Sequence, residues 1–140
     1  MKDELVIHVD DSRTAREMVR EALEDAGYRV MSAEDVQDLE QRVMQEESVR
    51  NEVKLFVLDM EMPDLMGAQV GAIMADLYKE LEKVPFIIYS GKEQEWVEDM
   101  SREVAEFSGS FQRNFKGFIS KNKGGETKLV ELVRSTLGDD

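Results

Sequence analysis

Leu5-Val6-Ile7-His8-Val9 runs into Asp10-Asp11, and Leu55-Phe56-Val57-Leu58 runs into Asp59. Phe86-Ile87-Ile88-Tyr89 runs into Ser90, and Phe118-Ile119-Ser120 runs into Lys121. Each run has the length and apolar character of a strand buried in a parallel sheet. In such a sheet all strands end on one edge, and ligands bind there. Three carboxylates, one hydroxyl and one ammonium are therefore expected to meet at one crevice. Carboxylate oxygens suit a hard cation such as Mg²⁺. Lysine and serine suit the oxygens of a phosphoryl group.

The elements that must position these groups follow from spacing and periodicity. The successive intervals Asp11 to Asp59, Asp59 to Ser90 and Ser90 to Lys121 are 48, 31 and 31 residues. One strand-helix-strand unit needs roughly 30 residues or more, so the first interval holds two units and the others one each. Residues 5–9 form the first strand. Ala15, Met18, Val19, Ala22, Leu23 and Ala26 keep a helical stripe that Gly27 is placed to end. Residues 29–33 suit a second strand, and Val36, Leu39 and Val43 mark a more polar second helix. Residues 53–58 form a central third strand, followed by a loop at Pro63 to Gly67. Ile73, Leu77 and Leu81 stripe a third helix, and strand four follows Pro85. Trp96, Val97, Met100, Val104 and Phe107 stripe a Glu-rich fourth helix. A short fifth strand lies near Gly117 to Ser120, and Leu129, Val130, Leu132, Val133 and Leu137 stripe the last helix. The alternation predicts an α/β, doubly wound parallel sheet of five strands with five helices.

Composition narrows the function. At 140 residues one domain with a real core is expected. Thirty-one acidic against 18 basic residues give a formal net charge of −13, which repels nucleic acid and anionic membrane. No cysteine is present, so no disulfide or thiolate zinc site exists. The start, Met1-Lys2-Asp3-Glu4, lacks a signal-peptide pattern, and no apolar run could span a bilayer. These features fit a cytoplasmic protein.

Asp10-Asp11, Leu58-Asp59-Met60-Glu61-Met62-Pro63-Asp64-Leu65-Met66-Gly67, Ser90-Gly91 and Phe118-Ile119-Ser120-Lys121 resemble the receiver domain of two-component response regulators, of the chemotaxis-regulator type. The resemblance covers essentially the whole chain. It implies a flavodoxin-like sheet of order 2-1-3-4-5 and a single receiver spanning residues 1–140 with no output domain. It makes Asp59 the phosphoacceptor, with Mg²⁺ as cofactor and a histidine kinase or histidine phosphotransfer protein as donor. By the same resemblance Asp11 and Asp59 contact the ion directly, Asp10 acts largely through water, and the Glu61 carbonyl supplies a further ligand. Asp10 and Asp11 are also placed to favour the dipole of the following helix. Ser90 and Lys121 would contact the phosphoryl oxygens, with Ser90 and Phe118 forming the conformational switch. A downstream protein would be met through the fourth helix and fifth strand, by direct contact or phosphorelay. Such a chain is a signalling phosphoprotein rather than an enzyme.

Several residues read differently. His8, mid-strand among Val6, Ile7 and Val9, reads as a hydrogen-bonded packing histidine; the phosphohistidine belongs to the partner. Tyr89 reads as core, and the nine methionines as core filler. Glu61 and Lys92, two residues beyond Asp59 and Ser90, are expected to flank the phosphoryl group and to bridge the mouth of the site.

Two departures from the family pattern stand out. Lys121 is followed by Asn122 where the family usually has a proline in a cis peptide. A cis bond before Asn costs about 2.5–4 kcal/mol, so both a cis bond and a trans bond that displaces Lys121 stand open. The interval from Ser90 to Lys121 is also long for the family, with the extra residues expected in 108–116. Two other functions compete. One is a receiver-like binding module that is not phosphorylated. The other is an aspartyl phosphatase of the haloacid-dehalogenase type, disfavoured because that class carries its nucleophile on the first core strand and its later metal acids after it.

Overall fold

The computed structural model describes residues 3–63, 65–122 and 124–138. Five strands, β1 (Leu5–Val9), β2 (Arg29–Ala33), β3 (Val53–Leu58), β4 (Phe86–Ser90) and β5 (Phe115–Ser120), form one parallel sheet of order β2-β1-β3-β4-β5. Side chains alternate across it. Val6, Leu55, Val57, Ile87 and Tyr89 enter one core layer with Val19, Leu23, Leu129 and Val133. Ile7, Val9, Phe56, Leu58, Phe86 and Ile88 enter the other. The first layer is roofed by α1 (Arg13–Asp25) and α7 (Gly125–Leu137). The second lies under α2 (Val36–Leu39), α3 (Glu47–Glu52), α4 (Gly67–Leu77), α5 (Gln94–Phe107) and α6 (Gly109–Asn114).

The five expected helical regions are present, with two local differences. The second divides into α2, a π-helical turn at Glu40–Met44, and α3. The extra residues after α5 form α6 in place of a simple loop. Ser108 caps α6 by accepting a hydrogen bond from the Phe111 N–H at 3.1 Å. Phe111 is buried against Phe86 and stacked on Phe115, with ring centroids 5.3 and 5.0 Å apart. The long interval is therefore a piece of core, not slack chain.

The helical stripes are corrected in part. Ile73 and Leu77 do not face the sheet: they are 42% and 70% exposed, and α4 instead buries Ala68, Val70, Gly71, Ala72, Met74 and Ala75. Gly71 sits so close to Phe86 that a Cβ there would lie 2.8 Å from the ring. Gly71 with Ala68, Ala72 and Ala75 lets α4 approach the sheet, while Ile73 and Leu77 stay outside. Phe107, the last residue of α5, is 90% exposed although Val97 on the same helix is buried. The methionine reading holds for Met44, Met60, Met62 and Met74, which are buried; Met18 is exposed.

Candidate functional site

The sheet's own hydrogen bonds carry the functional residues to the edge. The Asp10 N–H donates to Ala33 O, the Asp59 N–H to Val9 O, and the Lys121 N–H to Ser90 O, all at 2.9–3.0 Å. These are the last rungs of the ladder, so three strand ends are locked side by side. Continuing the alternation, Asp10, Asp59 and Lys121 fall on the α1/α7 side, whereas Ser90 falls on the α5 side together with Phe118.

The loops are fixed as tightly. Ser12 caps α1, its hydroxyl accepting from the Ala15 N–H at 3.2 Å, while its own N–H donates to Asp10 Oδ1 at 2.9 Å. Arg16 donates to the Asp10 carbonyl at 2.6 Å. After β3 the chain turns back at Gly67, where a Cβ would lie 2.3 Å from the Asp59 carbonyl oxygen. After β5 a Cβ on Gly125 would lie 2.4 Å from the Ser120 carbonyl. Each glycine seats a helix start directly on a strand end that carries a charged site residue. No cis peptide occurs among the described residues, so the bond between Lys121 and Asn122 is trans. The trans chain still delivers the lysine: Lys121 Nζ lies 2.7 Å from Asp10 Oδ2 and 3.4 Å from Asp59 Oδ2.

Carboxylate oxygens of Asp10, Asp11 and Asp59 all fall within 4.8 Å of one another, with Asp11 exposed and the other two buried. That spread, with an all-oxygen donor set and one solvent-facing side, fits a small divalent cation that keeps several waters. The electrostatics agree. Burial pushes the Asp59 carboxyl up to about 6, and the Asp10 charge adds to it, while Lys121 and the Glu61 N–H oppose. Burial also pushes Asp10 up, but His8, Lys121 and the Ser12 N–H outweigh it and hold that carboxyl below its usual range. The one ammonium sits closer to Asp10, so Asp59 is the carboxylate left under-compensated and the one a second cation would relieve.

Ser90 is fully buried at the floor, its Oγ accepting from the Lys92 N–H at 3.2 Å. Above it, Lys92 Nζ and Glu61 Oε2 meet at 2.7 Å, the bridge anticipated from their spacing, and Lys92 also lies 5.5 Å from the centre of the Trp96 ring. Phe118 is half-buried and lines a groove of about 400 Å³ between α5 and β5. Tyr89 is buried, with its phenol pushed up to about 12 by burial and by the Glu126 and Asp10 charges. His8 has a closer tie to the site than its packing role implied. It is fully buried with Nε2 3.4 Å from Asp10 Oδ2, and burial holds its imidazole below the ordinary value. The available signal was its place two residues before Asp10 on the same strand, which puts both side chains on one face.

Residues 6–134 match the response regulator receiver domain. The chain belongs to that family. Receiver domains are the signalling modules of two-component systems; they bind Mg²⁺ at an acidic pocket and interact with histidine kinases or phosphotransfer proteins. Solved structures agree in fold. A putative response regulator from Chloroflexus aurantiacus superposes with a TM-score of 0.75 at 18% identity, covering 97% of this chain and 98% of that one. The chemotaxis protein CheY4 of Vibrio cholerae gives 0.71 at 22% identity, over 94% and 98%. The Thermotoga maritima response regulator TrrA, in complex with Mg²⁺ and BeF, gives 0.69 at 20% identity, over 95% and 98%. No curated protein matches the sequence significantly. Among the described residues, no helix is long and apolar enough to cross a membrane.

Proposed function

We propose that this chain is a cytoplasmic receiver that accepts a phosphoryl group on Asp59 from a phosphohistidine of a kinase or phosphotransfer protein. The observation that carries the reading is the under-compensated, buried Asp59 carboxylate flanked by two further acids and by Lys121. Asp59 Oδ attacks phosphorus, the phosphorus–nitrogen bond of the donor breaks, and the imidazole leaves with that electron pair. Asp59 must be deprotonated to attack. Asp10 and Asp11, with Asp59 and the Glu61 carbonyl, would hold Mg²⁺, which supplies charge neutralisation for the transfer. The TrrA complex with Mg²⁺ and BeF supports this reading by likeness of fold. Lys121 then exchanges its hold on Asp59 for a phosphoryl oxygen as a point charge. The Ser90 hydroxyl donates to another oxygen, leaving the Lys92 N–H that it now accepts from. Because Ser90 and Phe118 share the α5 side of the sheet, movement of Ser90 opens room for the Phe118 ring, and α5 with β5 carries the signal to a downstream protein.

Incubation with phosphoramidate, whose phosphorus–nitrogen bond resembles that of phosphohistidine, tests the reading. A Mg²⁺-dependent adduct on Asp59 is expected. Phosphate release without an adduct would indicate a phosphatase, and no reaction would indicate a binding module; either result overturns the proposal.

A further inference from the structure

We infer that the groove between α4 and α5 is a docking site for a short cationic segment of a partner protein carrying an apolar anchor residue. The inference concerns a different face from the groove between α5 and β5 and does not depend on phosphorylation. Three large side chains stand outside the core on this side of the molecule: Ile73 and Leu77, one turn apart on α4, and Phe107 at the end of α5. Ile73 and Phe107 line a groove of about 470 Å³ whose floor is Met66, Ala72 and Val104. That volume takes one or two side chains, in the lower part of the range of natural ligand pockets. Ile73 and Phe107, exposed on the α4 and α5 walls of one groove with a polar rim, mark an interaction surface; Leu77 lines the neighbouring grooves.

The rim decides the occupant. Asp76 and Glu103 line the groove, and among the described residues no lysine or arginine does. The carboxylate of Asp76 is held in place by the Ser110 hydroxyl of α6, which donates to it at 2.8 Å. Beyond the rim, α5 exposes Glu95, Glu98, Asp99 and Glu106, and its one arginine, Arg102, is already paired with Asp99 at 2.9 Å. Lys79 and Arg113 line the adjoining groove, which shares Asp76 with this one and also carries Glu82. A second copy of this chain would set acid against acid. Nucleic acid and anionic bilayers are repelled for the same reason. A peptide with lysines or arginines flanking a leucine or aromatic residue complements both the groove and its rim.

The test is an NMR titration of the ¹⁵N-labelled protein, without phosphodonor, with a synthetic amphipathic Lys/Leu peptide. Lys/Ser and Glu/Leu peptides of equal length serve as comparisons. Chemical-shift changes confined to residues 66–77 and 103–108 are expected. Phe107→Ser, at a site exposed enough to leave the fold intact, should weaken the Lys/Leu peptide by about tenfold or more, the scale of one lost anchor. Glu103→Gln should flatten the salt dependence of binding. Equal affinity of the Phe107→Ser variant, equal binding of either comparison peptide, shifts mapping elsewhere, or self-association abolished by Phe107→Ser would each overturn the inference. None of these outcomes bears on Asp59 as phosphoacceptor.

Discussion

Lys121 is shared unequally between two buried acids, and the chemistry of the site follows from that asymmetry. Without metal, Asp59 carries a folded-state pKa of about 6 against an ordinary 3.8. A raised carboxyl stabilises the fold fully below pH 3.8, and that contribution is lost as pH rises through about 6. At about 1.4 kcal/mol per pH unit the loss is about 3 kcal/mol by neutral pH. Asp59→Asn removes the titration. In chelator, its melting temperature should exceed that of wild type by a margin that widens from pH 4 to pH 7. Parallel curves would show that Asp59 is not under-compensated. Glu61 and Lys92 give a second prediction at this scale. As an exposed pair they contribute little to stability, and their proposed role is to limit the access of water to phospho-Asp59. Dephosphorylation should accelerate in Lys92→Ala and in Glu61→Ala, with the double variant no faster than either single one. Additive rates would show separate roles. Most of these residues were legible in the sequence because each ends an apolar run: Asp10, Asp11, Asp59, Ser90 and Lys121 all lie where strand ends predict. His8 was not, because its apolar setting reads as packing and outweighs the two-residue spacing that puts it on the same face as Asp10.

At the scale of elements, two helix starts are set against the sheet edge through glycine. Gly125→Ala would drive a Cβ into the Ser120 carbonyl, displace α7 and with it the turn that aims Lys121. A loss of about 1–3 kcal/mol is expected in urea unfolding, together with slower phosphorylation. An unchanged midpoint would show that α7 has slack there. The α5-to-β5 segment makes a different prediction. Amide exchange with and without beryllofluoride should change most in residues 91–121, the segment that follows Ser90 and carries Phe118. Changes confined to the loops after β1 and β3 would contradict the switch. Strand positions and the five helical regions followed from periodicity, since strands buried on both faces are continuous apolar runs. The face of α4 did not. Its stripe of Ile73 and Leu77 suggested core, but the close approach of Gly71 to Phe86 turns another face of α4 to the sheet, so the apparent stripe is the outer surface. Likewise α6 carries too few residues for a helical period to be read, although Phe111 makes it part of the core.

At the scale of the molecule, a chain of net charge −13 concentrates three acids at one end of its sheet and compensates two of them with a single lysine. A divalent cation at that end should therefore stabilise the whole fold by mass action. Mg²⁺ should raise the melting temperature of wild type and leave that of Asp11→Ala nearly unchanged, because among the described residues Asp11 has no ion pair. An equal rise in both would remove Asp11 from the metal site. The order β2-β1-β3-β4-β5 brings residues 10, 59 and 121 together from three strand ends, which neither periodicity nor spacing could fix without the family resemblance. The claim on which the account rests is that this end of the sheet accepts phosphate on one carboxylate. Intact mass after incubation with a small phosphodonor measures it most directly, for wild type and Asp59→Asn, each with Mg²⁺ and with chelator. One added phosphoryl group is expected in wild type with Mg²⁺ and none in the other three samples; an undiminished adduct on Asp59→Asn would show that another residue accepts the phosphoryl group.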